Sequence, residues 1–175
     1  MTTQSGITYQ SLLPLAWEAT APDAPAIALV RHHNLRLLHA LAIMESLPDK
    51  DVDADPVVAK AMERLEAKLD MVISLLSRLA ARDEGNLRPT RVSLGATHLD
   101  WEPLSDAPGI GDTVKLTLYL SPMLPEGIQL YARITDSTDT NCRAEFLDQD
   151  EEFEEWMTRT LFRYHRRELQ ARHPA

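Results

Sequence analysis

Apolar residues recur with alternating spacings of four and three through the middle of the chain, at Val58, Met62, Leu65, Leu69, Val72, Leu76 and Leu79. The surrounding segment, VVAKAMERLEAKLDMVISLLSRLAAR, contains neither Gly nor Pro. This spacing puts all of these side chains on one stripe of a helix. With Met62 at heptad position a, Leu69 and Leu76 also fall at a, and Val58, Leu65, Val72 and Leu79 at d. Ile73 and Leu75 lie at flanking e and g positions and widen the stripe beyond a two-stranded seam. The pattern predicts association through this helix; packing within its own chain is the alternative.

A second heptad-like run spans 26–47, through Ile27, Val30, Asn34, Leu37, Leu41 and Met44. Asp23 and Pro25 are a plausible start for it. Asn34 occupies an a-type position. A buried Asn there fixes register and oligomer state, whereas an Asn at the stripe's edge simply faces water. Pro14 interrupts any helix in the preceding ITYQSLLPLAWE, which reads as extended. The acidic PDKDVDADP separates the two helices, and Asp55-Pro56 opens the second. Gly85 is placed to end it.

Beyond residue 86 the period changes from helical to alternating. RVSLGATHLDW, TVKLTLYL, GIQLYARITD and CRAEFLD each read as a strand. Val114, Leu116, Leu118 and Leu120 share one face; so do Ile128, Leu130, Ala132 and Ile134. SPMLPEG suits a hairpin-type return. Strands in succession without helices between them predict an antiparallel meander curling into a small barrel. A closing helix begins near Gln149, with acidic first turns and basic last turns that complement its dipole. Phe153, Trp156, Met157, Thr160 and Tyr164 form its packing stripe.

The chain has 175 residues, 44% hydrophobic and 26% charged, which fits a globular protein of one domain plus an appendage. Its net charge of −9 disfavours nonspecific binding to nucleic acid or an anionic membrane. The single cysteine, Cys142, excludes a disulfide within the chain and suits a small core residue. No signal peptide and no membrane-length apolar run is visible, so a cytoplasmic location is expected.

Candidate chemistry is sparse. His32, Arg36 and His39 share a helical face, but no carboxylate partner completes a metal site, and none is expected. His165, Arg166 and Arg167 complement a helix C-terminus or meet an anionic partner. Ser93 lies in no nucleophile-elbow motif, and Gly109-Ile-Gly111 precedes no helix. No catalytic residue and no cofactor is expected.

The order of elements, with RLEAKLDMVISLLSRL, RVSLGATHLDW and the terminal FRYHRRELQ, resembles the atypical branch of the PilZ family over about residues 57–170. The resemblance implies an α+β fold: a small antiparallel barrel with long heptad helices before it and an amphipathic helix after it. On this reading residues 1–85 form an N-terminal extended segment and a two-helix oligomerisation region, and 86–175 the barrel with its C-terminal helix. PilZ domains are receptors for cyclic di-GMP or act through protein partners in type IV pilus assembly, motility or biofilm control. The family's ligand signature pairs an R-x-x-x-R arm with [D/N]-x-S-x-x-G. In one register this chain offers Arg91, Ser93 and Ala96; in the other, Ser93, Gly95 and His98, so both lack the terminal glycine. Arg78 and Arg82 have the arm's spacing but lie on the heptad helix. Arg88, Arg91 and Ser93 remain as ligand candidates. The expectation is a non-enzymatic regulatory scaffold, a homo-oligomer with a tetramer favoured, acting on an unknown protein partner, with cyclic di-GMP binding unlikely. A cyclic di-GMP receptor with a divergent arginine arm is the alternative.

Overall fold

The computed structural model describes residues 7–45, 56–83, 87–103, 107–122, 124 and 126–172. Its elements run β1 (Tyr9–Ala19), α1 (Ala24–Glu45), α2 (Pro56–Asp83), β2 (Arg88–Leu94), β3 (His98–Trp101), β4 (Thr113–Leu118), β5 (Ile128–Ser137), β6 (Cys142–Phe146) and α3 (Glu151–Arg172). The six strands close into an antiparallel barrel in the order β1-β2-β3-β6-β5-β4. The α+β barrel expected from the pattern is therefore the fold observed.

Alternation builds the barrel. Leu13 and Leu15, then Val92 and Leu94, Val114, Leu116 and Leu118, and Ile128, Leu130, Ala132 and Ile134 all turn inward and are buried. Cys142 is fully buried in β6, as a small core residue. Two strands depart from the expected layout. The N-terminal stretch, expected as an extended segment outside the barrel, is β1, and it closes the barrel. Tyr9–Leu15 pairs with β2, and Leu15–Ala19 pairs with β4. Pro14 sits at this change of partner, facing Pro89, where neither residue has an N–H to give to the ladder. Its carbonyl accepts a hydrogen bond from Tyr119 N–H at 3.1 Å. RVSLGATHLDW, expected as one strand, is a hairpin of β2 and β3. Gly95 N–H donates to His98 O at 2.9 Å across its turn.

The helices differ in what they cover. Asp23 caps α1, its Oδ1 accepting from Ala26 N–H at 2.8 Å; Asp150 caps α3 in the same way through Phe153 N–H at 2.9 Å. Arg31 of α1 pairs with Asp150 at 3.2 Å, tying the two helix starts together. The α1 stripe is spent within the chain: Asn34, Leu37, Leu38 and Leu41 are buried on the barrel core. From α3, Phe153, Met157, Leu161 and Tyr164 enter the same core. Glu45, at the end of α1, is nearly enclosed and pairs with Arg167 at 3.1 Å and Arg163 at 3.9 Å. Burial raises the Tyr164 hydroxyl above its ordinary pKa, and the neighbouring Glu45 carboxylate adds to the shift.

Candidate functional site

Strand register decides what the barrel's outer wall can bind. Inward-facing Thr90, Val92 and Leu94 leave Arg91 and Ser93 on the outer face of β2. Ser93 stands between Gln10 of β1 and Asp100 of β3, and Asp100 stands beside Arg143 of β6. Arg91 lies one row along, opposite Leu12. A shallow depression of about 520 Å³ opens here, lined in part by Ser11, Arg91, Ser93, Asp100, Glu102 and Asn141.

The charges in and beside this depression are matched in pairs. Arg91 Nε lies 3.8 Å from Glu102, and Arg143 lies 3.4 Å from Asp100. Arg88 stands three residues before Arg91, so strand alternation gives it the opposite parity; it is exposed at the start of β2, opposite Leu15. The three ligand candidates are thus not brought together. Arg91 and Ser93 share the depression with two carboxylates, and Arg88 is not among its lining residues. Arg78 and Arg82 belong to α2 by backbone, but their side chains lie outside the described residues.

Where the signature calls for glycine, this chain has the β2–β3 turn. A Cβ added at Gly95 would lie 2.5 Å from His98 Cε1, so the imidazole occupies the space above the glycine. Burial lowers the His98 pKa; Arg143 lowers it further, against the opposing pull of Asp100 and Glu145. The ring is held as a neutral packing group on Gly95. The aromatic cover on this glycine was not visible in the sequence; only the β2–β3 hairpin reveals it.

The second feature is the outer face of α2. Val58, Met62, Leu65, Leu69, Val72 and Leu76 are each between 51% and 55% exposed. Such values are those of side chains resting on their own helix with no neighbour laid over them. Met71 and Leu75 are also exposed, at 66% and 52%. The Leu79 side chain lies outside the described residues. The described part of the stripe, Val58 to Leu76, therefore does not fold back onto the barrel, the alternative left open by the pattern.

Asn34 is the exception among the expected oligomerisation residues. It is fully buried, its Nδ2 donates to Gln129 O, and its Oδ1 accepts from Gln129 N–H at 3.0 Å. Gln129 lies on the part of β5 beyond its pairing with β6, which begins at Ala132. The amide takes the place of a missing strand and satisfies both backbone groups. It fixes α1 to its own barrel instead of setting register between chains.

The remaining candidates have local partners. His39 packs against Trp156, the rings tilted by 58° with centroids 4.2 Å apart, and no cluster of metal-ligating side chains occurs among the described residues. Arg167 is bound to Glu45. No described helix is long and apolar enough to cross a membrane.

Comparison with known proteins bears on the whole chain. The family model described as "Atypical PilZ domain, cyclic di-GMP receptor" matches residues 38–173. A solved structure of a pathogenic protein from Xanthomonas campestris, a tetrameric PilZ domain self-assembled via an unusual helical bundle, is similar with a TM-score of 0.72. The identity is 24%, over 95% of this chain and 91% of the other. No curated protein sequence matches.

Proposed function

The chain belongs to the atypical PilZ domain family, and from that premise we propose that it is a non-enzymatic regulatory scaffold in cyclic di-GMP-linked signalling. It assembles through α2, presents its barrels around the resulting bundle, and acts by contact with a protein partner. One observation carries the reading: an apolar stripe on α2 whose six described a and d side chains stand half exposed in the single chain. Covering the remaining half of such side chains is worth on the order of 1 kcal/mol each. That gain is available only from another apolar surface, and identical stripes on further copies supply one with matching spacing. The wide face, with Leu at the a positions 69 and 76 and β-branched Val72 at d, favours more than two helices. The helical-bundle tetramer of the structurally similar Xanthomonas protein supports the same order.

Light scattering on the full chain tests this. The expected mass is four times that of one 19.7 kDa chain. Leu69→Glu with Leu76→Glu places charges in an apolar seam, where an unpaired carboxylate costs several kcal/mol, and should reduce the mass to that of a monomer. A wild-type protein that is monomeric at high concentration would refute the assembly.

A further inference from the structure

We propose that α2 carries both halves of one contact between copies: the acidic flank of each helix meets the basic flank of the next, which makes the bundle parallel and in register. This rests on assembly through α2 and adds what sets its direction. The charges beside the apolar stripe are sorted by sign. At about 100° per residue, Glu63, Glu66 and Asp70 fall on one side of the stripe, at positions b, e and b. Arg64 and Lys68 fall on the other side, at c and g, and Lys60 lies at f, on the far side of the helix. All five flanking charges are exposed, and among the described residues none has an ion-pair partner in its own chain.

Within one helix this sorting is unfavourable. Arg64 and Lys68 are four residues apart, and so are Glu66 and Asp70, so like charge stacks on like charge along each flank. Between copies the same sorting becomes favourable. In a parallel bundle each helix turns its g and c side toward the e and b side of its neighbour. In register, Arg64 stands at the level of Glu63 and Glu66 of the next copy, and Lys68 between the levels of Glu66 and Asp70, with axial offsets of about 3 Å or less. Repeated around the bundle, this head-to-tail contact closes into a ring. An antiparallel bundle would set acidic flank on acidic flank and basic on basic. The seam thus supplies the affinity and the flanks select the direction. Only residues 84–87 separate α2 from β2, a reach of about 15 Å, so a parallel bundle brings the entries to all the barrels to one end.

Two measurements on the full chain test the arrangement. Val58→Cys and Leu76→Cys, each made alone, put a thiol near one end of the described seam, while the native Cys142 is buried. A parallel, in-register bundle brings each position against itself, so both variants should cross-link between copies with a short bis-maleimide. Antiparallel helices can bring only one of these levels against itself, because the two lie about 27 Å apart along the axis. The second measurement reverses a flank at exposed positions outside the seam. Glu66→Lys with Asp70→Lys sets basic against basic and should raise the concentration at which the assembly dissociates by about tenfold or more at low salt, and by less at high salt. Adding Arg64→Glu and Lys68→Glu to that chain exchanges the flanks and should restore the wild-type mass and dissociation midpoint. Cross-linking at one position or at neither would overturn the parallel bundle, as would a midpoint unmoved by flank reversal or not restored by the exchange. A monomeric wild type would overturn assembly and direction together; the other outcomes overturn the direction alone.

Discussion

Two polar side chains, buried Asn34 and half-buried His98, do different work against this barrel. Asn34 supplies two hydrogen bonds to one residue of β5, at the point where the strand has lost its neighbour. Asn34→Leu removes both partners of buried backbone groups and should destabilise the fold by about 2–4 kcal/mol, with no change in assembly mass. Urea unfolding of a monomeric background variant measures it; a loss below about 0.5 kcal/mol would mean that Gln129 finds other partners. His98 acts by being neutral. Its folded pKa lies below the ordinary 6.5, so the unfolded chain takes up a proton first as pH falls. Its share of stability is present above pH 6.5, declines as pH falls below that value, and is fully lost below the folded pKa. The pH dependence of unfolding should therefore flatten in His98→Gln between pH 6.5 and the lower folded value, as followed by denaturant titration at stepped pH.

At the scale of elements, β1 contributes most to the barrel that its sequence does not announce. It sits between β2 and β4, so its removal leaves an open sheet with two unpaired edges. Leu13 and Leu15 also leave the core. A fragment of residues 86–175, which contains the other five strands and α3, should therefore fail to fold: collapsed amide dispersion in proton–nitrogen spectra and no cooperative melt are expected. A dispersed spectrum from that fragment would show that five strands and α3 suffice. In α2 the opposite holds. Its 28 residues lend no described large side chain to the core, so the barrel gives this helix little tertiary support, and the proposed assembly would supply it.

For the whole molecule, the question is whether a dinucleotide with two phosphates can bind the barrel wall. Arg91 and Arg143 are each beside a carboxylate, and Arg88 lies away from both. A bis-phosphate would have to displace Glu102 and Asp100 or accept their repulsion, on a chain already at −9. Calorimetry at physiological salt should accordingly show no saturable heat with cyclic di-GMP. The family description as a cyclic di-GMP receptor gives the contrary reading its place. Saturable binding abolished by Arg88→Ala and Arg91→Ala would establish it.

The sequence by itself determined the elements whose period is strong and whose environment is uniform. The four-three repeat marks α2, and unbroken alternation marks β4 and β5, because each has one apolar face along its whole length. It also placed the start of α1 at Asp23 and that of α3 near Gln149, one residue from the Asp150 cap, because a cap acts within three residues. Tertiary structure alone decided the rest. β1 was obscured because outward Leu12 and Pro14 break its alternation, and its partners lie some 75 and 100 residues ahead in the chain. The β2–β3 hairpin was obscured because its turn shows a single glycine. Asn34 has the same heptad position whether it meets another chain or its own β5; only the distance to Gln129 tells them apart. Arg88 and Arg91 look like a pair in the sequence, and the pleat of a strand turns them to opposite sides. Local propensity acts over a few residues, whereas partners and faces are settled by which distant surfaces the closed barrel brings together.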